Sequence, residues 1–194
     1  MARSAYHCAN SLQLTDALAE SDLKRCTHPE ETLECLHLES LLTLSTERIA
    51  NLLRYWLLKL GLTLPSSKRL GQVFKTVLAA GSDRQPLLKW EGGELRRYRN
   101  RLYAMANIKP FADRSIPWHW EQPIYLPEIN RMLFWRENFG HGLRKSSVIN
   151  ARISIGFRQG GEICQTHPKR VHKPLSKLFQ EAGIPPWQRN RIPL

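Results

Sequence analysis

The sequence predicts an α+β protein: a helical domain with a small β-meander, then a Pro-rich linker, then a small mixed α+β C-terminal domain. Three observations carry that expectation. Apolar residues recur at helical spacing as far as Gly81, and the period shifts to strand type after Pro86. Residues 106–124 then hold Pro110, Pro117 and Pro123 and show neither period. The expected divisions are 1–105, 106–124 and 125–194, in keeping with the one or two domains that 194 residues allow.

Residues 11–24 place Leu14, Leu18 and Leu23 in a polar surround and are expected to form a modest helix. After a break at Pro29, Leu36 and Leu38 alternate with His37 and Glu39 as in a short strand. Ser45 precedes TERIANLLRYWLLKLG, in which Ile49, Leu52, Leu53, Trp56, Leu57 and Leu60 share one helical face and Gly61 follows as a C-cap. Trp56 belongs to that stripe, which makes it a packing residue rather than an RNA-stacking one. A second helix is expected over SSKRLGQVFKTVLAAG, with Ser66 as N-cap and Gly81 as its stop. Leu70, Val73, Phe74, Val77 and Leu78 form its face. The joining GLTLPS is short enough to make the two helices neighbours.

In LLKWEGGELRRYRNRLYAM, β-forming residues surround the turn signals Gly92-Gly93 and Arg99-Asn100, the pattern of a three-stranded meander. It puts Arg96, Arg97, Arg99 and Arg101 in one hairpin. They are either RNA contacts or a charged edge that keeps the sheet from aggregating. Beyond the linker, IYLPEINRMLFWRENF and SVINARISIGFRQ read as strands. HKPLSKLFQEAGIPPW reads as a helix ended by Gly183 and Pro185-Pro186, and the closing RIPL begins like one more strand.

Charge narrows the function. Against 17 Asp+Glu stand 29 Lys+Arg, a net charge of +12 with a pI near 10.0. Such a surplus opposes folding and fits a polyanionic partner, nucleic acid before acidic membrane. No run of apolar residues is long enough to span a bilayer, and the N-terminal stretch has no apolar core of a secretory signal. Four cysteines make no disulfide framework, so a reducing cytoplasm is expected.

Catalytic signatures are missing. The sequence has no GxxxxGK[ST], no GxGxxG and no GxSxG. Cys26-x-His28 and Cys35-x-His37 have an unusual spacing for zinc and an apolar setting, so they are expected to be buried cysteines and to hold no structural metal. Gly160-Gly161 in FRQGGE is either a plain turn or a backbone nest for an anion beside Arg158. Around it cluster Arg158, Lys169, Arg170, His172, Lys173 and Lys177, with Glu162 the only acidic residue from 158 to 180. Lys173 and Lys177, spaced i, i+4, are expected on one side of a helix whose Leu175, Leu178 and Phe179 face inward. Cations at a helix start oppose its dipole, which is easier to understand if a phosphate binds there; the alternative is a solvated basic face. On its residues alone the chain reads as a binding module.

FRQGGE, the basic residues after it and KPLSKLFQEAGIPPWQRNRIPL closely resemble the C-terminal domain of bacterial tRNA(Ile)-lysidine synthetases. In that family a Lys/Arg-rich gap leads to a K-K-x-F/W-Q-E-x-G-V/I-P-P-W helix-turn and an R-x-x-x-P-L segment. MARSAYHCANSLQLTDALAESDLKRC, the two helices and LRRYRNRLYAM look like its central substrate-binding domain, and PWHWEQPIYLP like its connector. The resemblance implies tRNA as partner and the basic residues above as its grip. It also implies that the chemistry lies elsewhere. In the family, ATP with Mg activates the wobble cytidine of the CAU-anticodon isoleucine tRNA, and lysine displaces AMP to leave lysidine. The S-G-G-x-D-S loop of that catalytic domain does not occur in this sequence, nor do family strands beyond R-x-x-x-P-L. The expectation is therefore a tRNA-binding fragment with no catalytic residue and no cofactor of its own, inactive alone. An independent RNA-binding adaptor and a remnant with an open sheet edge are the alternatives.

Overall fold

The computed structural model describes residues 2–28, 33–81, 84–108, 115–127, 129–140, 142–149, 151–165 and 171–194. The chain divides into two compact units, Met1–Ile108 and Lys109–Leu194.

In the first unit, α1 (Ala2–Cys26), β1 (Cys35–His37), α2 (Leu38–Leu42), α3 (Thr46–Lys59) and α4 (Ser67–Val73) precede β2 (Leu87–Trp90), β3 (Gly93–Tyr98) and β4 (Arg101–Met105). Helix α3 begins and ends where its sequence signals lie. The Ser45 side chain accepts from Arg48 N–H at 3.4 Å. At the other end Gly61 takes φ 69°. Its N–H donates to Leu58 C=O and that of Leu62 to Leu57 C=O, which satisfies the carbonyls a helix terminus otherwise leaves open. Ser66 caps α4 in the same way, accepting from Arg69 N–H.

Helix α1 is longer than expected and turned differently. Leu14 and Leu18 are 73% and 42% exposed, while Ala19, Asp22, Leu23 and Cys26 form the buried face. Those four follow the i, i+3, i+4, i+7 spacing of one helical stripe, with a carboxylate inside it. Asp22 is tolerated there because Arg48 of α3 donates to both its oxygens, one bond at 3.0 Å. The core packs α1 against Ile49, Leu52, Leu53, Trp56 and Leu57 of α3 and against the apolar face of the sheet. Trp56 is fully buried and donates its indole N–H to Leu33 C=O at 2.7 Å, the packing role its position predicts.

Past Val73 the second helix widens into a π-helical segment, Phe74–Leu78, where Ala79 N–H donates five residues back to Phe74 C=O. It stops short of Gly81. The expected meander is present as β2–β3–β4, all antiparallel, with Leu88 opposite Leu95 and Leu95 opposite Ala104. β1 adds a fourth strand beside β4, giving the order β1-β4-β3-β2. It ends at His37 because Leu38, whose N–H goes to Asn100 C=O, already begins α2. At the first turn, a Cβ on Gly93 would meet the Trp90 ring at 2.4 Å, so no larger residue fits that approach without a shift.

The second unit is built of short pieces. They are β5 (Ile116–Trp118), β6 (Ile124–Leu126), β7 (Arg131–Leu133), α5 (Lys145–Ile149), β8 (Ile153–Ile155), β9 (Ile163–Cys164), β10 (Lys173–Pro174), α6 (Leu175–Glu181) and α7 (Pro186–Arg189). They pair as two-stranded antiparallel ribbons, β5 with β8, β6 with β7 and β9 with β10. Leu126, Ile155 and Phe157 form a small core, rimmed by half-buried Ile116, Trp118, Ile124, Ile129 and Leu133.

Three expectations change here. Residues 116–118, inside the stretch read as linker, form β5. A proline is admissible there because a two-stranded ribbon leaves an N–H side unpaired. Val148 and Ile149 belong to α5, and only Ile153–Ile155 of that segment is strand. Lys173 is not helical: it lies in β10 opposite Cys164, and α6 starts at Leu175. The residue before a proline is pushed out of the α region, which fixes Lys173 as extended before Pro174. At the C-terminal end Gly156 and Leu194 exchange backbone bonds of 2.9 and 3.1 Å beside a Phe157–Pro193 bridge, so the RIPL run lies against residues 156–157. Among the described residues no helix is long and apolar enough to cross a membrane.

Candidate nucleic-acid interface

The FRQGGE turn is a true backbone nest, and its anion is internal. Gly160 and Gly161 take φ 114° and 87°, values that favour glycine. Gln159 and Gly160 N–H both donate to Glu162 Oε1, at 2.5 and 2.7 Å. The Gly160 bond is the main reason the Glu162 carboxyl is held below the usual carboxylate range, with Gln159 and the Arg158 charge adding to it. Arg158 completes the turn: Nε lies 3.6 Å from Glu162 Oε2 and NH1 donates to Asn190 Oδ1 at 3.1 Å. The loop thus binds a carboxylate from its own chain where the sequence left room for a ligand.

The two lysines after it part company. Lys173, on β10, reaches Glu181 at 3.2 Å across the length of α6. Lys177 is exposed on α6, while Leu175 and Phe179 are buried and Leu178 half-buried, as the inward face predicts. The expected shared helical face of Lys173 and Lys177 therefore does not exist. The N–H of Leu175 at the helix start is taken by Glu162 C=O at 2.8 Å. Lys169 and Arg170 lie outside the described residues.

The arginine hairpin does gather Arg96, Arg97, Arg99 and Arg101 on β3, its turn and β4, but in unlike settings. Arg96 is half-buried, with Nε 2.7 Å from the fully buried Glu94, which Lys89 also approaches at 3.4 Å. Arg97 NH1 donates to Leu78 C=O at 2.9 Å and Ala80 C=O at 2.5 Å, so it ties off the carbonyl end of the π-helical segment. Arg101 is half-buried at the foot of β4, opposite His37 of β1. Arg99 alone of the four is exposed, in the turn with φ 51° and 5.4 Å from the Tyr98 ring.

Of the Cys-x-His pairs, Cys26 and Cys35 are buried, and the His28 and His37 rings meet edge to face at 4.3 Å. Burial, followed by the nearby Asp22 charge, pushes the Cys26 thiol up to about 11. Among the described residues no group of three or more His, Cys, Asp or Glu side chains could hold a metal ion.

Charge separates the units more sharply than any motif. Residues 109–194 carry 14 Lys+Arg against 6 Asp+Glu, so +8 of the net +12 belongs to the second unit and +4, from 15 against 11, to the first. Several second-unit carboxylates are occupied internally as well: Glu162 in its nest, Glu181 by Lys173, and Glu137 by Lys145 at 2.9 Å. Sequence reasoning passed over Arg136, Arg144 and the tryptophans beside them. Their signal was Trp beside basic residues in PWHWEQP, hidden where prolines made residues 106–124 read as linker, and in LFWRENFG, hidden within a stretch that read as strand.

Comparison with known proteins agrees with this division. Residues 36–103 match the family model of the TilS substrate binding domain, and residues 153–194 match that of the TilS substrate C-terminal domain. The tRNA(Ile)-lysidine synthase of Alkalilimnicola ehrlichii is 39% identical over 194 residues, which is 99% of this chain and 42% of that protein. The synthase of Coxiella burnetii is 37% identical over all of this chain and 42% of its own length. That of Escherichia coli O157:H7 is 31% identical over 100% of this chain and 43% of its own. The chain thus spans less than half the length of the curated relatives it matches.

Proposed function

This chain belongs to the tRNA(Ile)-lysidine synthase family, and from that premise we propose that it supplies the tRNA-holding portion of such an enzyme. The observation that carries the proposal is the basic second unit, in which Glu137, Glu162 and Glu181 are drawn into internal pairs while cations such as Lys177 stay exposed. A surface of this kind binds a polyanion by displacing its condensed counterions, and so responds steeply to salt. The relatives' names specify tRNA among polyanions. An adaptor of independent origin would not require both family domains to match in order along one chain.

In this reading the chain holds the tRNA, chiefly through its second unit, and ATP, Mg and lysine are handled by the remainder of a full-length synthase, in the cytoplasm. No phosphate-binding loop motif occurs in these residues, and no nucleophile stands in for one. Filter or fluorescence binding of the CAU-anticodon isoleucine tRNA across a salt series tests the reading. The expected result is binding whose log–log salt slope corresponds to several phosphates, with no AMP released from ATP and lysine. Absence of binding, or affinity indifferent to salt, would overturn it. Sustained tRNA-dependent AMP release would overturn the assignment of the chemistry elsewhere.

A further inference from the structure

The second unit also gathers aromatic rings beside arginines that have no carboxylate partner among the described residues. β5 brings up Trp118, and Trp120 follows two residues on. The Trp118 indole is fixed by its N–H, which donates to Gln122 C=O at 2.8 Å. Trp135, just past β7, meets Trp120 edge to face, with ring centroids 5.0 Å apart and planes at 82°. With Phe139, Arg136 and Arg144 these tryptophans line a cavity of about 780 Å³. That volume suits a small-molecule or nucleotide-sized group. Phe139 is 98% exposed, a phenyl ring held in water with no packing role. Glu137, the acidic residue on the cavity wall, is taken by Lys145. Among the described residues neither Arg136 nor Arg144 has a carboxylate partner.

We propose that this cavity takes an unpaired nucleobase of single-stranded RNA, stacked against the tryptophans and Phe139, with Arg136 and Arg144 on the flanking phosphates. The proposal rests on the RNA-binding reading above and deepens it, adding a site for an unstacked base to a surface that otherwise reads only charge. An apolar peptide would match the rings and leave two guanidinium groups without counter-charge. A duplex would match the guanidinium groups and leave the rings wet, because its base faces are already stacked. Only an unstacked nucleotide offers a π-face and an anion within one residue of each other. Stacking on aromatic side chains tolerates any base, so the site grips without reading sequence.

Titration of the full chain with a short single-stranded oligoadenylate, a blunt RNA duplex and free AMP, followed by tryptophan fluorescence, tests this. The oligoadenylate should quench the tryptophans and bind more tightly than AMP. Replacing Trp135 and Phe139 together by Ala should weaken the single strand roughly tenfold and the duplex by less than about twofold, in line with the loss of one stacked base. Phe139→Ala alone, at a ring too exposed to support the fold, should give part of that loss, and Trp135→Phe should retain most of the affinity. Unchanged single-strand affinity in the double variant, or equal losses for single strand and duplex, would overturn the proposal. So would AMP binding as tightly as the oligonucleotide. A second copy of the chain as occupant would appear as dimerisation in sedimentation that Phe139→Ala abolishes, with single-strand binding untouched, and would overturn it too. Loss of the tRNA-holding function itself would be seen separately, as failure of the parent chain to bind tRNA.

Discussion

The two units differ in how far the fold itself uses their arginine and lysine. In the first, twenty buried side chains among the described residues form a core bounded by cations that the fold itself uses: Arg48 neutralises Asp22, Arg96 and Lys89 meet buried Glu94, and Arg97 holds the end of the π-helical segment. In the second, Leu126, Ile155 and Phe157 make the central core among the described residues, and short ribbons replace long helices. Exposed aromatic rings there stand beside Arg136 and Arg144, which have no carboxylate partner among the described residues. A large apolar core can absorb charged side chains as structural braces. A thin one absorbs fewer: it ties Lys145, Arg158 and Lys173 into pairs and leaves Arg136, Arg144 and Lys177 exposed. Dense arginine in a sequence is therefore weak evidence of a binding face until the depth of the core beneath it is known.

The largest expected effect sharpens that contrast. Trp56→Ala should destabilise the first unit by about 3–5 kcal/mol in urea unfolding, since it opens a cavity in a closed core and strands the Leu33 carbonyl. Ile155→Ala in the second unit should cost only about 2 kcal/mol, because its half-buried rim can close around the gap. Equal costs would mean that the second core is as tightly built as the first.

Arg97→Ala comes next, with an expected loss of about 1–3 kcal/mol from carbonyls left without their donor. Its tRNA salt slope should match that of the parent. A shallower slope at unchanged stability would return the hairpin to the binding surface. Smaller still is the effect of Glu162→Gln. The carboxyl of Glu162 is held below its ordinary value, so its contribution to stability is present above the unfolded carboxyl range, near about pH 4.3, and disappears as pH falls through the lowered folded value. The parent should melt at higher temperature than the variant at neutral pH, and the two melting curves should converge in acid. A gap that persists unchanged in acid would show that charge is not what the nest holds.

Much of the first unit was legible in the sequence because its signals are local. Ser45, Ser66 and Gly61 mark helix ends through bonds to residues three or four away, and the apolar stripe of α3 repeats long enough to fix its face. The face of α1 was misread because Asp22 sits within it, and only Arg48, 26 residues on, makes a buried carboxylate tolerable. The second unit obscured more. Its strands are two or three residues long, too short for a period of two to declare itself, and Pro117 and Pro174 argued against the pairings they in fact join. Nor could spacing show that Glu162 fills the Gly160 nest, because the same glycines suit an external phosphate equally well. The cavity beside Trp118, Trp120 and Trp135 depends on ribbons closing around it, which residue types alone do not reveal.

The measurement that bears most directly on the division of labour is a matched charge deletion. One variant would replace Arg136, Arg144 and Lys177 of the second unit by Ala; the other would replace exposed Lys68, Lys75 and Arg84 of the first. Both remove the same formal charge, so any difference in tRNA binding reports position rather than net charge. With the grip on the second unit, its triple variant should flatten the log–log salt slope by about 2–3, at roughly 0.7–0.9 for each phosphate no longer neutralised, while the first-unit variant changes it by less than about one. Equal flattening in both, or the larger change in the first unit, would contradict the account.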